Sequence, residues 1–385
     1  MKAKLFICLQ IVIYWGSYLV PKSKKIWVFG EWYGQRYADN PRYFFEYVNK
    51  EHPNIKSIWI TKSKNLVSTI KQSGFECFYY KSLKAIYYQL RCKKVFYCQR
   101  LLDDISGFLI SGNVDRVQLW HGVPLKKIGF DVKPEYESQL RIKNLKKLIA
   151  PFLYIKPTLV VACSDYDKNI FARAFGIDIN RVKVLGYPRN DYLISNKKPP
   201  SHPFKVLYAP TLRETKGRFF NGLISEDIID HLGNKLKHHD IHLLIKFHPL
   251  NLPTSIVNQK INDSDVMELI PNNENIYEHL IRANVLVTDY SSLIFDAMLL
   301  HKPIIHYISD LEIYVDSERQ LYTDYAEVVS GVQVNTVEKL IEKLVEIKNK
   351  SIFFSRNNNK LCKKYFKYQD KSNSFRLFKL ITEIG

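Results

Sequence analysis

Asn284–Tyr307 reads NVLVTDYSSLIFDAMLLHKPIIHY, and this stretch decides the fold class. An apolar run of strand length, Asn284–Thr288, breaks at Asp289-Tyr290-Ser291-Ser292. A helix-length apolar stretch follows, and Pro303–Tyr307 is a second strand-like run. Strand, helix and strand in this order make a parallel crossover unit. At Ser291-Ser292, backbone N–H groups and two hydroxyls converge where the helix dipole is positive, an arrangement suited to phosphate. A plain serine N-cap is the other reading. Asp296 lies four residues after Ser292, on the same helix face, placed to accept hydrogen bonds from a ribose or sugar hydroxyl, or simply exposed.

The same alternation extends outward in both directions. Strands are expected at Lys25–Gly30, Ser57–Thr61, Lys94–Cys98, Arg116–Trp120, Thr158–Cys163 and Arg181–Leu185 in the first half. Lys205–Tyr208, Ile241–Phe247, Asn284–Thr288 and Pro303–Tyr307 follow in the second. Between the halves, Ser195–Pro203 (SNKKPPSHP) is the clearest linker. Two doubly wound α/β domains are the economical reading of 385 residues. The expected divisions are a membrane-associating segment 1–24, an N-terminal Rossmann-like domain 25–198, a C-terminal one 199–350, and a basic helical segment 351–385. An apolar fraction of 46% argues against wholesale disorder.

Net charge is the outlier, at +19. Residues 1–25 carry five basic side chains and no acid, and residues 348–385 carry ten basic and two acidic ones. The excess therefore sits largely at the ends, which favours an anionic membrane surface over a nucleic-acid groove through the body. Lys360, Lys363, Lys364, Lys367 and Lys371 recur at helical spacings of three and four. Leu5–Val20 is apolar but short of the roughly 20 residues that span a bilayer. A membrane-surface or buried helix is expected there, with a signal anchor as the alternative. Six cysteines without a C-x-x-C pair form neither a disulfide framework nor a zinc spacing, and fit a reducing compartment.

Ligands of open α/β sheets bind outside the carboxyl ends of the strands, and the unusual polar residues cluster there. Strand Arg116–Trp120 runs into His121-Gly122, and Arg181–Leu185 into Gly186-Tyr187-Pro188-Arg189. Lys205–Tyr208 leads to Ala209-Pro210-Thr211, and Ile241–Phe247 to His248-Pro249. A neutral imidazole at His121 is able to take a proton from an attacking hydroxyl; a histidine merely capping a strand is the alternative. Arg189 carries the fork suited to phosphate, or else a surface ion pair. Lys126 and Lys127 are phosphate candidates or solvated charges. No G-x-G-x-x-G, P-loop, H-E-x-x-H or strand-end D-x-D is present, so no cofactor and no metal is expected.

Five strings, in order and spacing, resemble the CDP-glycerol glycerophosphotransferase family, which includes teichoic acid primases and polymerases. They are LWHGVPLKKIGFD (Leu119–Asp131), GYPRNDYL (Gly186–Leu193), YAPTLRE (Tyr208–Glu214), IKFHP (Ile245–Pro249) and TDYSSLIFDAMLLHKPIIHY (Thr288–Tyr307). YADNPRYFFEYV (Tyr37–Val48) is similar as well. The resemblance implies a GT-B-type fold, two Rossmann-like domains facing across a cleft. It implies transfer of glycerol phosphate from CDP-glycerol to a hydroxyl of an acceptor, with CMP leaving, in teichoic-acid-like or capsular polymer synthesis. The family's base maps to His121 and its pyrophosphate-binding histidine to His248. The donor contacts map to Trp120, Gly122, Arg189, Pro210, Thr211, Lys246, Ser291, Ser292 and Asp296. Two positions depart from the family pattern, Val123 in place of Thr and Lys246 in place of Arg.

The expected partners are therefore CDP-glycerol or CDP-ribitol, a polyprenyl-diphosphate-linked or other lipid-linked acceptor, and the anionic cytoplasmic leaflet. No nucleic acid is expected. A nucleotide-sugar glycosyltransferase of the same fold is the enzymatic alternative, and a non-catalytic binder of anionic lipid or nucleic acid is the other class.

Overall fold

The computed structural model describes residues 2–132, 148–199, 202–211, 223–248, 251–308, 320–328, 331–350 and 356–383. Its chain folds into two compact units. The first comprises Met1–His121, Ile128–Tyr192 and Asp370–Gly385, and the second comprises Gly122–Lys127 and Leu193–Gln369.

Seven parallel strands build the first unit: β1 (Ser23–Phe29), β2 (Lys56–Thr61), β3 (Cys77–Tyr79), β4 (Cys92–Tyr97), β5 (Asp115–Gln118), β6 (Leu159–Ala162) and β7 (Val182–Val184). Their order is β3-β2-β1-β4-β5-β6-β7, so the winding reverses between β1 and β4. Six parallel strands build the second: β8 (Phe204–Tyr208), β9 (Ile241–Ile245), β10 (Met267–Leu269), β11 (Val285–Thr288), β12 (Ile304–Tyr307) and β13 (Val332–Val334). They run β10-β9-β8-β11-β12-β13, with the reversal between β8 and β11. Both orders are doubly wound, and each reversal opens a ligand crevice at the strands' carboxyl ends.

All ten expected strands are present. The three that the sequence reading omitted, β3, β10 and β13, are edge strands of three residues each. So short a run carries no periodicity to read, and these strands exist because a neighbour supplies the hydrogen bonds. In the first unit one core is aromatic, with Trp27, Phe29, Phe44, Phe45 and Phe96 all buried and Phe29 stacked on Phe96 at 4.6 Å, and another is largely aliphatic, built on Val28, Ile58, Ile60 and Val95. The core of the second unit is aliphatic, drawn from β8, β9, β11 and the helices Ile229–His238 and Val337–Asn349. Burying one such side chain fully contributes about 1.5–3 kcal/mol.

Two terminal expectations meet a more specific structure. The unit division falls at Tyr192/Leu193, inside the helix Pro188–Ser195, and it recurs at Gln369/Asp370 within the basic tail. That tail forms two helices, Arg356–Tyr365 and Asn373–Glu383, so Lys367 and Lys371 do not extend a helical face begun at Lys360. The second helix is fastened to the first unit. Asp191 accepts N–H groups from Asn373 (2.8 Å) and Ser374 (2.7 Å), and Phe378 stacks on His52. At the other end, the helix Lys2–Gly16 buries Tyr14 against Phe152 while Ile7, Leu9, Val12 and Trp15 stay exposed. No helix among the described residues is long and apolar enough to cross a membrane.

Candidate functional site

His121 stands three residues past the end of β5, in a turn that ordinary residues resist. Trp120 takes φ +53° and Gly122 takes φ +142°, both in the region that favours glycine. For a tryptophan this costs free energy that surrounding contacts must supply. Asn40 and Arg189 supply them. The Asn40 amide donates to the carbonyls of Leu119 (3.2 Å) and Trp120 (2.9 Å). Arg189 Nη1 donates to the carbonyl of His121 (2.7 Å) and pairs with Asp39 Oδ1 at 2.6 Å. Asn40 Oδ1 also accepts the backbone N–H of Arg189 at 3.2 Å. Three successive carbonyls of the turn are thus held by two buried side chains. The segment bearing Asp39 and Asn40 is itself anchored, because buried Glu31 accepts the Ala38 N–H at 3.0 Å.

The imidazole packs on the Trp120 ring at 4.1 Å and lies 5.9 Å from the ring of Trp32. Its Nδ1 is 3.5 Å from the side-chain amide of Gln99. Burial away from water holds the His121 pKa below the ordinary histidine value. The Asp39 carboxylate pulls the other way, and the Arg189 charge adds to the depression. The neutral ring therefore predominates at pH 7, which is the form a general base needs.

Arg189, expected to grip phosphate, has its guanidinium engaged within the protein. It is 2% exposed, and its guanidinium is tied to Asp39 and to the His121 carbonyl. Lys246 is similarly committed. Its ammonium donates to the carbonyls of Pro271 and Glu274, bracing the loop between β10 and the helix Ile276–Arg282.

In the second unit, β8 and β9 deliver their end residues to one crevice. A cavity there is lined by Tyr208, Pro210, Thr211, Ile224, Phe247, His248 and Asn251. Thr211 N donates to Asp289 Oδ1 at 2.8 Å, and Thr288 Oγ1 donates to the Ala209 carbonyl at 2.6 Å, so the β8 and β11 ends are locked together. The buried Thr211 hydroxyl has no hydrogen-bond partner among the described residues. After β11, Ser291 Oγ accepts the N–H of Leu293 at 3.3 Å. Ser292 caps the helix Leu293–Leu299 with its backbone only, leaving its hydroxyl out of the cap. Asp296 is buried rather than exposed, at 3%. Pro249 and Leu212–Glu214, the tails of two of the family strings, lie outside the described residues.

Sequence reasoning passed over Asp39, Asn40 and Gln99, and gave Asp289 no role. The string YADNPRYFFEYV contains the first two, yet nothing local says that an Asp-Asn pair will meet a turn some 80 residues away.

The profile of the family described as CDP-Glycerol:Poly(glycerophosphate) glycerophosphotransferase matches residues 12–383. The chain is 29% identical over 356 residues to the teichoic acid poly(glycerol phosphate) polymerase of Bacillus spizizenii, covering 86% of each. It is 27% identical to the polymerase of that name in Bacillus subtilis, where the match spans 85% of this chain and only 44% of the longer relative. Its fold superposes on that of the wall teichoic acid polymerase TagF with a TM-score of 0.73 at 24% identity, over 94% of this chain and 89% of the other.

Proposed function

The chain belongs to the CDP-glycerol:poly(glycerophosphate) glycerophosphotransferase family, and from that premise we propose that it transfers glycerol phosphate from CDP-glycerol to a hydroxyl of a lipid-linked acceptor. The observation that carries this reading is a neutral His121 held by Asn40 and Arg189 at the carboxyl edge of its sheet.

In the proposed step an acceptor oxygen attacks the phosphorus that bears glycerol. The new P–O bond forms as the P–O bond to CMP breaks. The acceptor proton passes to the His121 imidazole, and CMP leaves with the bonding pair. His248, Thr211, Ser291 and Ser292 supply hydrogen bonds to the diphosphate as its charge shifts toward the leaving group. Asp296 helps to hold the donor. Arg189 acts one layer back, through the backbone of His121, and Lys246 acts through the loop it braces. Val123 is 2% exposed, so the hydroxyl missing at that position would face the interior.

The fold reading that accompanies this chemistry is GT-B-type. We place the protein on the cytoplasmic face of the membrane as a peripheral enzyme of teichoic-acid-like or capsular polymer synthesis. Exposed Val12 (69%) and Leu19 (86%), together with the basic ends of the chain, support that placement.

The test is an assay of the purified full chain with CDP-glycerol, CDP-ribitol and UDP-sugars in turn, on a lipid-linked acceptor, following CMP and product length. Release of CMP with CDP-glycerol alone is expected. Turnover with a UDP-sugar and none with either CDP-polyol overturns the reading.

A further inference from the structure

Just past β1, at the reversal between β1 and β4, the chain makes the loop Glu31–Ala38 (EWYGQRYA) before entering the helix Asp39–Glu51. The two ends of this loop meet, because Glu31 Oε2 accepts the N–H of Ala38 at 3.0 Å. Both arms reach the base. Near the start, the Trp32 ring lies 5.9 Å from the His121 ring. Just past the end, Asp39 Oδ1 pairs with Arg189 Nη1, and Asn40 donates to the carbonyls of Leu119 and Trp120.

The loop is held against its backbone preference. Trp32 (φ +44°), Tyr33 (φ +58°) and Asp39 (φ +51°), with Trp120 in the His121 turn, are four of the six non-glycine residues of positive φ among the described residues. Such backbone persists only where the surrounding bonds over-determine it. Two carboxyls supply those bonds. Asp104 Oδ1 accepts the Tyr33 N–H at 2.8 Å, and Glu31 accepts that of Ala38.

These carboxyls are provided for very differently. Asp104 Oδ2 also accepts the N–H groups of Cys98 (3.0 Å) and Gln99 (2.7 Å), so three donors face one carboxylate. Burial pushes its pKa up to about 6 against those donors, and it is ionised at pH 7. Glu31 has one donor. It is 0% exposed, and its Oε1 has no hydrogen-bond partner among the described residues.

The charges facing Glu31 are mainly of its own sign. Asp39 and Asp104 oppose its ionisation, and Arg36 favours it, but the Arg36 guanidinium lies over the Trp32 ring, 5.2 Å from the centroid. Burial and the nearby carboxylates push the Cys98 thiol well above its ordinary value, so it adds no charge. Burial first, then the Asp39 charge, raise the Glu31 pKa well above the ordinary carboxyl value, and the Ala38 N–H pulls it back only in part. An anion with one hydrogen bond, buried beside another anion, is the costly arrangement; a carboxylic acid is the stable one.

We propose that Glu31 is a positioning residue for His121, a protonated carboxylic acid that clasps the loop whose two arms hold the base. Its effect on rate rests on the glycerophosphate-transfer reading above, whereas its protonation state does not. Glu31 acts through Ala38, Asp39 and Arg189, and touches no reacting atom. Ionised, it would set a second negative charge beside Asp39, and the loop would have to open to solvate it.

The experiment compares full-length wild type with Glu31→Gln and Glu31→Ala. Glutamine keeps a carbonyl oxygen for the Ala38 N–H and is neutral at every pH. Denaturant unfolding is followed from about pH 5 to about pH 8, with kcat and CDP-glycerol KM measured at pH 7. The sign follows from proton binding. A carboxyl with a raised folded pKa contributes stability that is fully present below its unfolded value of about 4.3 and is lost as pH rises through the folded value. Wild type should therefore lose stability relative to Glu31→Gln, the ratio of their folding constants growing about tenfold per pH unit over that window.

At pH 7, Glu31→Gln should keep kcat within about twofold, while Glu31→Ala should lose at least about tenfold in kcat with donor KM unchanged. A stability ratio that stays constant with pH overturns the protonated carboxyl, even if Glu31→Ala fails to fold. Glu31→Gln falling as far as Glu31→Ala means that the charge is needed, and also overturns it. Folded Glu31→Ala with normal kcat overturns the positioning role. The pH-dependent ratio in a protein that never turns over CDP-glycerol supports the protonated clasp and overturns the transfer reading instead.

Discussion

The turn around His121 and the crevice around His248 both sit where a parallel sheet reverses its winding or close to it, yet they are built in opposite ways. Three consecutive carbonyls of the first are held by Asn40 and Arg189 against a left-handed backbone. The second is joined by bonds between its own strand ends, and keeps a cavity and a buried Thr211 hydroxyl that no other described residue bonds. A group that must meet a proton in one geometry is over-determined by its scaffold. A surface that must receive a ligand leaves hydrogen-bonding capacity for it. The lesson is that rigid and receptive halves are distinguishable before any ligand is seen.

Removing the base tests the comparison most severely. His121→Asn should lower kcat by about 10²–10⁴-fold with little change in donor KM, measured as CMP release. A variant with near-normal turnover would end the assignment. The scaffold comes next. Asn40→Ala strips two inward carbonyls of their donors, so stability should fall by about 1–3 kcal/mol for each group left unsatisfied. The loosened turn should cost about a hundredfold in kcat. If denaturant midpoints fall while kcat holds, Asn40 is structural only.

The pH profile refines the same point. The His121 pKa is lowered, so the acid limb of kcat/KM should fall at a lower pH than an ordinary histidine would give. Below the lowered value the base gains a proton, and the rate should fall about tenfold per pH unit. An acid limb already evident above pH 7 would contradict the geometry. The smallest effect belongs to the receptive half. Thr211→Val should raise CDP-glycerol KM by about threefold to tenfold and leave stability unchanged or slightly improved, because no group among the described residues loses a partner. A clear loss of stability would mean that the hydroxyl serves the fold.

Much of this was legible in the chain. Apolar runs ending in His121, Thr211, His248 and Ser291 place those residues at strand ends, and the alternation alone demands parallel sheets. What stayed illegible was the task of each cation. Arg189 read as a phosphate ligand by its fork and Lys246 as a donor contact through the family resemblance, and both also bond protein carbonyls. Asn40 gave no signal, because an amide is informative only through what it touches, and it touches a turn some 80 residues away. Periodicity is a local property and survives in the sequence; the partner of a buried donor is a property of space.

The sequence by itself determined two doubly wound sheets, the strand ends that carry histidine, threonine and serine, and the family's string order. Only the tertiary structure decided which polar groups are bound within the protein and which are offered outward. That choice depends on burial and on contacts between distant segments. A fork of N–H donors closed on an interior carbonyl and an aspartate holds a turn in place, whereas a hydroxyl without a partner among the described residues keeps hydrogen-bonding capacity for a ligand.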